Sequence, residues 1–292
     1  MKWLITGCNG QLGKSLQHEL AEVQSVEVIA LDSNQLDITD EAAVKAAFTL
    51  HKPDVVINAA AYTAVDKAET EPQLAEAVNV SGPKNLANAS DAEGALFVHV
   101  STDYVFDGKA QVAYREDDLV SPASVYGRTK LQGEQAVAAV CKQYFIVRTA
   151  WVFSEYGNNF VKTMLRLGRE RDSLGVVADQ IGCPTYAGDI AKSLIKLVGI
   201  GLTGKAESGI YHYTGDLAVS WWAFTREIHA QALSLGLLDK LPELKAITTS
   251  DYPTPAARPA FSVLDTSKIS KLGISPSDWS LAIGKVIQCK DE

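Results

Sequence analysis

The sequence predicts an α/β fold built on a doubly wound parallel sheet, with a smaller C-terminal lobe that carries substrate contacts. Over the first 150 residues, short and almost continuously apolar runs alternate with longer stretches of helical periodicity. Apolar runs of this kind are typical of strands buried on both faces. A glycine-rich turn follows the first run directly. Alternating strands and helices favour a parallel sheet with helices on both faces.

Each element of the sheet has its own apolar or periodic segment. The predicted strands comprise residues 2–6, 26–31, 55–58, 96–101 and 145–149. The predicted helices comprise residues 12–22, 41–51, 72–93 and 121–141. After Trp151 the pattern is less regular, with one more helix at 189–198 and one more strand at 209–212. We therefore expect a dinucleotide-binding domain of residues 1–150 and about 187–213, and a substrate lobe of about 151–186 and 214–292.

The composition excludes several classes of protein. Hydrophobic residues make up 47% and charged residues 21% of 292, as in ordinary globular proteins. A net charge of −8 argues against a general nucleic-acid binder. The four cysteines lack the spacing of a zinc site, and no apolar run is long enough to span a membrane. We expect free thiols, no signal peptide, no metal and a cytosolic location.

Three glycines after the first strand indicate a phosphate-binding loop. Gly7, Gly10 and Gly13 permit a tight turn, close approach of a pyrophosphate, and close packing of the following helix. Gln11 and Leu12 begin that helix, whose unpaired N–H groups attract phosphate. This loop predicts a Rossmann-like site for NADH or NADPH.

The second and third strands end in further candidates for the cofactor site. Asp32 lies where an acid accepts hydrogen bonds from the adenosine ribose, which favours NADH, although the neighbouring Ser33 and Asn34 do not bar the phosphate of NADPH. The other expected cofactor contacts are Asp37, Ile38, Ala61, Tyr62 and Thr63.

Tyr126 and Lys130 are the predicted catalytic pair. Four residues separate them, so they share one face of a helix. An ammonium near a phenol favours the phenolate, and we therefore expect Lys130 to lower the pKa of Tyr126. The phenol would give a proton to a carbonyl oxygen while a nicotinamide gives hydride to the carbon. Thr102, at the end of the fourth strand, would contact the same oxygen and complete a triad.

These motifs resemble the dTDP-4-dehydrorhamnose reductases, a family of extended short-chain dehydrogenases. The resemblance runs over most of the chain. Its segments are 58–69 (NAAAYTAVDKAE), 101–108 (STDYVFDG), 126–131 (YGRTKL), 148–153 (RTAWVF), 157–160 (GNNF), 163–166 (TMLR), 179–185 (DQIGCPT) and 252–259 (YPTPAARP).

The resemblance implies reduction of the 4-keto group of dTDP-4-dehydro-6-deoxy-L-mannose. It implies that Tyr126 is the proton donor, that Thr102 tunes it, and that Lys130 binds the cofactor ribose. It also implies that Thr102, Asp103 and Trp151 contact the dTDP-sugar. From the residues themselves, Asn159, Gln180 and Arg258 are further candidates for the substrate site, because Arg258 can pair with a diphosphate and the two amides with a base or sugar.

The resemblance bears on metal and oligomeric state as well. Some members of the family dimerise around magnesium held partly by a glutamate in the first helix. Ser15 occupies that position here. We therefore expect no bound magnesium, and either a monomer or a homodimer.

Two alternatives remain open at this stage. One is a nucleotide-sugar epimerase or dehydratase of the same fold, although Tyr104 stands where a dehydratase has an acid. The other is a non-catalytic regulatory subunit of the methionine adenosyltransferase type. A scaffold has no need of Thr102, Tyr126 and Lys130, so the sequence favours the reductase.

Overall fold

The computed structural model describes residues 1–289 and contains the parallel sheet predicted from the sequence. Strands and helices are numbered along the chain. The sheet consists of β1 (Lys2–Thr6), β2 (Glu27–Leu31), β3 (Val55–Asn58), β4 (Leu96–Thr102), β5 (Tyr144–Thr149) and β10 (Gly209–His212). The strand order is β10-β5-β4-β3-β1-β2, and every pairing is parallel. Successive strands are added to one side of β1 up to β2 and to its other side from β3 onward. Doubly wound sheets bind ligands at such a switch point, which lies here between β1 and β3.

Helices cover both faces of this sheet. They are α1 (Gln11–Ala21), α2 (Glu41–His51), α5 (Gly82–Glu93), α6 (Val125–Val140) and α8 (Ala187–Leu202), while the short helices α3 (Val65–Ala68) and α4 (Pro72–Glu76) pack against α6. One face buries leucines of α1 and α8 against Ile5, Ile57 and Val98. The other buries residues of α2, α5 and α6 against Leu4 and Val56. Because side chains alternate along a strand, each strand supplies both cores.

The boundaries differ from the sequence prediction in two places that matter for the site. The expected helix 72–93 is divided by a π-helical turn, Ala77–Ser81, ahead of Gly82-Pro83. The expected helix 121–141 begins only at Val125, where the Ser124 hydroxyl accepts a hydrogen bond from the Gly127 amide. Pro122 lacks the amide hydrogen of a helix interior, so the chain before Ser124 stays extended.

The remaining elements pack mostly around a third buried cluster, separate from the two cores of the sheet. They are β6 (Val152–Phe153), α7 (Phe160–Glu170), β7 (Ser173–Val177), β8 (Ile181–Gly182), β9 (Thr185–Tyr186), β11 (Val219–Ser220), α9 (Trp221–Ser234), β12 (Glu243–Ile247), α10 (Ser267–Ser270) and α11 (Trp279–Gln288). Phe153, Phe224 and Trp279 lie at the centre of this cluster. Its strands occur as short pairs: β6 with β9, β7 with β12, and β8 with β11. Within residues 1–289, no helix is long and apolar enough to cross a membrane.

A buried ion pair joins α6 to the sheet. The Arg148 guanidinium donates from Nε and Nη2 to the two carboxylate oxygens of Glu134, at 2.9 and 2.7 Å. Both side chains are almost fully buried. The Ser101 hydroxyl also donates to Glu134, and the guanidinium lies 5.0 Å from the centre of the Phe106 ring. The bidentate geometry compensates each buried charge with its partner.

We expect Arg148→Met to lower the free energy of unfolding by about 3–5 kcal/mol, because the Glu134 carboxylate would stay buried without its partner. Urea unfolding followed by circular dichroism measures this. The double variant Glu134→Leu/Arg148→Met removes both charges and should recover most of the loss. If Arg148→Met is as stable as the unchanged protein, the pair does not hold α6 to the sheet.

Candidate active site

A cleft of about 680 Å³ lies at the carboxyl ends of the sheet strands and gathers most of the predicted cofactor residues. The predicted residues that line it are Gly7, Gly10, Gln11, Leu12, Asp32, Asp37, Ile38, Ala61, Thr63, Tyr126 and Lys130. Thr149 also lines the cleft, and its buried hydroxyl has no hydrogen-bond partner among the described residues.

The glycine loop has the shape that a pyrophosphate requires. Gly7 adopts a φ of +69°, and a Cβ there would overlap the backbone of Ala60. A Cβ at Gly13 would overlap the carbonyl oxygen of Gly7, so α1 lies directly on the loop. No side chain caps the N-terminus of α1 and its first turn holds no acid. The positive end of the helix therefore remains available to an anion, and the loop fits a dinucleotide.

Asp32 shapes the turn after β2 as well as lining the cleft. One carboxylate oxygen accepts from the Asn9 side chain at 2.9 Å. The other accepts from the backbone N–H groups of Asn34 and Gln35. A ribose hydroxyl would share an acceptor that already holds three protein donors, so the structure weakens the sequence argument that Asp32 selects NADH.

The segment after β3 is held by Asn79, a residue that the sequence analysis did not single out. Its side chain accepts from the Tyr62 N–H at 2.9 Å and donates to the Tyr62 carbonyl and to the Thr129 hydroxyl. The Tyr62 phenol donates to Glu71 and does not line the cleft. Tyr62 was expected as a cofactor contact; its phenol is bonded to Glu71 and its ring packs in the same apolar cluster as Tyr126, so the contact stays a prediction. No local sequence pattern indicates this role, because Asn79 acts through partners on other elements.

Helix α6 places Tyr126 and Lys130 on the side facing the cleft. Gly127 allows this approach, because a Cβ there would overlap the carbonyl oxygen of Tyr104. Gly133 does the same against the carbonyl oxygen of Asn79. Thr102 ends β4 beside Tyr126, and its hydroxyl bonds favourably with the ionised phenol. The three residues of the predicted triad therefore meet at one place.

The pKa of Tyr126 differs from the sequence expectation. Burial raises this pKa above its usual range, and Thr102 offsets only part of the effect. Asp103 and Tyr104 raise it further. The expectation that Lys130 lowers the pKa of Tyr126 is wrong for this structure, because the ammonium instead donates to the Val100 carbonyl at 2.7 Å. Desolvation outweighs the field of the lysine, and Tyr126 is a protonated phenol, which suits a proton donor.

Lys130 is itself a buried amine. Burial lowers its pKa to about 8, and the Glu134 carboxylate, one turn further along α6, opposes this shift. Its Nζ also lies 3.4 Å from Nε2 of His99. Lys130 is thus close to its titration point near neutral pH, which suits a group that must exchange a proton.

Asp103 is a buried carboxyl next to Thr102. The Thr102 hydroxyl donates to its Oδ1 at 2.9 Å. Burial raises the pKa of Asp103 to about 6, although Ser262 and Thr102 lower it. An ionised carboxylate in this buried position lowers the stability of the fold, and such a loss of stability is common at functional sites.

The Trp151–Trp221 stack and the amide of Gln180 lie in the lobe. Trp151 has a φ of +48°, a strained conformation for a tryptophan, and stacks on Trp221 with ring centres 3.4 Å apart. The Trp221 indole donates to Gln180, which in turn donates to Thr249. Trp151 and Gln180 therefore belong to one unit, and the stack holds the strained backbone in place.

Arg258 and Asn159 have protein partners. Arg258 donates from Nη2 to Asp66 at 2.6 Å and interacts with the Tyr104 hydroxyl, while its Nη1 is buried without a partner among the described residues. Arg258 therefore keeps one donor for an anion near Tyr126. Asn159 caps α7 and donates to Gln11 and to the Ser154 carbonyl. The expected substrate contact of Asn159 is disfavoured, because its amide hydrogens are already used.

Ser15, the residue on which the expectation about magnesium rests, is held within α1. The Ser15 side chain is buried and donates to the Gln11 carbonyl. Residues 1–289 contain no group of three His, Cys, Asp or Glu side chains that could hold a metal ion.

Comparisons with known proteins agree with one another. The family model described as the RmlD substrate binding domain matches residues 1–291. A dTDP-4-dehydrorhamnose reductase of Aggregatibacter actinomycetemcomitans is 50% identical over 285 residues, which is 97% of each chain.

Two solved structures are similar over almost their whole length. One is a dTDP-4-dehydrorhamnose reductase from Clostridium acetobutylicum, 43% identical, with a TM-score of 0.91 and 98% of each chain covered. The other is the Bacillus anthracis enzyme of the same name in complex with NADP, 38% identical, with a TM-score of 0.90 and the same coverage.

We expect Asp103→Asn to stabilise the protein above pH 6. Because the pKa of Asp103 is raised to about 6, the folded state binds more protons than the unfolded state between pH 3.8 and 6, and stability falls as the pH rises through this window. A neutral amide removes that cost, by about 1–3 kcal/mol at pH 8 and less at pH 5. Urea unfolding at the two pH values measures the difference.

Asp107→Asn is the control of opposite sign. The Tyr114 hydroxyl lowers the pKa of Asp107, so its ionised form stabilises the fold and the amide should lose stability at pH 8. If Asp103→Asn raises the free energy of unfolding by the same amount at pH 5 and at pH 8, burial of an ionised Asp103 carboxylate is not what costs the protein stability.

Proposed function

This chain belongs to the family of dTDP-4-dehydrorhamnose reductases, and on that premise we propose that it reduces the 4-keto group of dTDP-4-dehydro-6-deoxy-L-mannose to give dTDP-L-rhamnose. NADPH or NADH is the reductant. The observation that carries the proposal is that Tyr126 and Lys130 line the glycine-rich cleft while Thr102 lies beside the Tyr126 phenol. The names of the relatives favour the reductase over the epimerase, dehydratase and regulatory alternatives.

A dinucleotide held in the cleft would supply the hydride for C4 of the sugar. The residues of this chain provide everything else. Tyr126 holds its proton because burial keeps the phenol neutral, and it passes that proton from Oη to the C4 oxygen as the ketone becomes an alcohol. Thr102 contacts the same oxygen and stabilises the phenolate that remains. The Lys130 ammonium, which reaches the cleft, holds the ribose.

The cofactor contacts proposed are those of the glycine loop together with Asp32, Asp37, Ile38, Ala61 and Thr63. The loop geometry and the uncapped start of α1 support them. Asp32 is engaged by Asn9 and by its own turn, which weakens the argument that it selects NADH. We propose that both dinucleotides are used.

The substrate contacts proposed are Thr102, Asp103, Trp151, Gln180 and Arg258. The unpaired Nη1 of Arg258 suits a diphosphate oxygen, and the stacked indole of Trp151 suits the apolar face of a deoxysugar. We retain the division into a dinucleotide domain of residues 1–150 and about 187–213 and a lobe of 151–186 and 214–292. The cytosolic location, the lack of nucleic-acid binding and the choice between monomer and homodimer stay predictions from the sequence.

We expect Tyr126→Phe to lower kcat by about 10²–10⁴-fold, because the phenyl ring keeps the shape of the site but has no proton to give. Dinucleotide affinity should stay within a few-fold of the unchanged protein. Steady-state oxidation of NADPH with the synthetic keto-sugar nucleotide measures turnover, and quenching of tryptophan fluorescence measures cofactor binding.

Tyr144→Phe is the matched control, because Tyr144 lies at the amino end of β5, whereas the cleft lies at the carboxyl ends of the strands. It should turn over normally. Unchanged turnover in Tyr126→Phe would remove the phenol from the mechanism. If the unchanged protein oxidises neither dinucleotide in the presence of the keto-sugar, the proposed function itself is wrong.

A further inference from the structure

A row of four buried polar side chains runs beneath the active site and ends at Lys130. Thr6, Asn58 and His99 are directly opposite one another on the neighbouring strands β1, β3 and β4. The Thr6 hydroxyl donates to Asn58 Oδ1 at 2.7 Å, Asn58 Nδ2 lies 3.1 Å from His99 Nδ1, and His99 Nε2 lies 3.4 Å from Lys130 Nζ. None of the four is more than 1% exposed. Buried polar groups of this kind must satisfy one another.

The backbone of Ala60 determines how the Asn58 amide is oriented. The Ala60 N–H lies 3.1 Å from Asn58 Oδ1. A backbone N–H group can only donate, so the atom facing it is the amide oxygen. The amide nitrogen of Asn58 therefore faces His99 and donates to Nδ1. This requires a lone pair, and no proton, on Nδ1 of the ring.

The His99 ring is neutral. Burial, reinforced by the charge of Lys130, lowers the pKa of His99 well below its usual range. A neutral imidazole carries one proton, and Nδ1 already accepts a hydrogen bond. The proton therefore resides on Nε2, the nitrogen that faces the Lys130 amine.

From this geometry we propose that His99 is a positioning residue that acts through Lys130, with Asn58 fixing its tautomer. An Nε2–H group cannot accept from an ammonium, so the charged form of Lys130 is turned away from the ring. Its N–H groups go to the Val100 carbonyl and toward the cleft, where the proposed function needs them. The uncharged amine, in contrast, can accept the Nε2–H hydrogen. The proposal rests on the proposed function and extends it to a residue that touches neither substrate nor cofactor.

The other groups around Lys130 account for the rest of its charge balance. Along α6, Glu134 favours the ammonium, but its carboxylate is shared with Arg148 on β5. Tyr126 on α6 is a neutral phenol, and β4 contributes the Val100 carbonyl. Among the described residues in these contacts, His99 is therefore the one whose hydrogen bond favours the neutral amine. It helps keep Lys130 close to its titration point, so that the amine can release a proton after Tyr126 has given up its own.

The tautomer can be read in the unchanged protein. Nitrogen-15 NMR of uniformly labelled protein, with the His99 ring signals assigned by through-bond correlation from its own backbone, distinguishes the two ring nitrogens at pH 7. We expect Nδ1 to resonate as the unprotonated nitrogen and Nε2 as the protonated one. A proton on Nδ1, or on both nitrogens, would overturn the proposal whatever the enzyme's substrate proves to be.

The effect on Lys130 can be read from the pH dependence of kcat. Activity should decline above about pH 8, as Lys130 loses its proton. In His99→Phe the opposing N–H is gone, and the decline should move to higher pH by about one pH unit. Thr6→Val is the matched control: it removes one buried hydrogen bond of the same row, but Ala60 still orients Asn58, so the decline should stay in place.

An unshifted decline in a folded His99→Phe variant, or an equal shift in Thr6→Val, would contradict the role of His99. If His99→Phe does not fold, the tautomer measured in the unchanged protein decides the question. If no keto-sugar nucleotide is turned over, the proposed function fails, while the NMR result still tests the tautomer by itself.

Discussion

The close contact of α6 with the backbone around it is the constraint on which the site depends. Two glycines make the contact possible, and they flank the residues that matter: Gly127 follows Tyr126 and Gly133 precedes Glu134. Behind the helix, the Glu134–Arg148 pair joins it to β5. A shift of α6 would move the phenol, the amine and the carboxylate together. Catalysis thus depends on backbone packing as much as on the identity of Tyr126 and Lys130.

Burial then decides the electrostatics of the site. It keeps Tyr126 protonated, brings the pKa of Lys130 to about 8, and raises that of Asp103 to about 6. In each case loss of water is the largest cause, ahead of any single charge. A reductase needs an acid that holds its proton until a carbonyl oxygen arrives, and a low-dielectric site provides one. The stability given up at Asp103 is consistent with a site selected for function.

The sequence was sufficient for the sheet because strands buried on both faces leave a clear apolar pattern, and for the glycine loop because its glycines lie between the first strand and a helix. It could not reveal contacts made by residues far apart in the chain. Asn79, Glu134 and His99 act through partners on other elements, and no local pattern marks them. The pKa of Tyr126 was misjudged for the same reason: helical spacing shows which groups are neighbours, but not how much water the fold removes. Asn159 and Tyr62 matched the family segments, yet their hydrogen bonds serve the fold.

Transfer of a labelled hydride tests the central claim most directly. The purified protein would be incubated with dTDP-4-dehydro-6-deoxy-L-mannose and NADPH carrying deuterium at both hydrogen positions of C4 of the nicotinamide, and the product examined by mass spectrometry and proton NMR. Our account predicts one deuterium at C4 of the sugar for every NADPH oxidised, in a product with the rhamnose configuration. A product without deuterium, or a sugar that is converted while NADPH is not consumed, would contradict it.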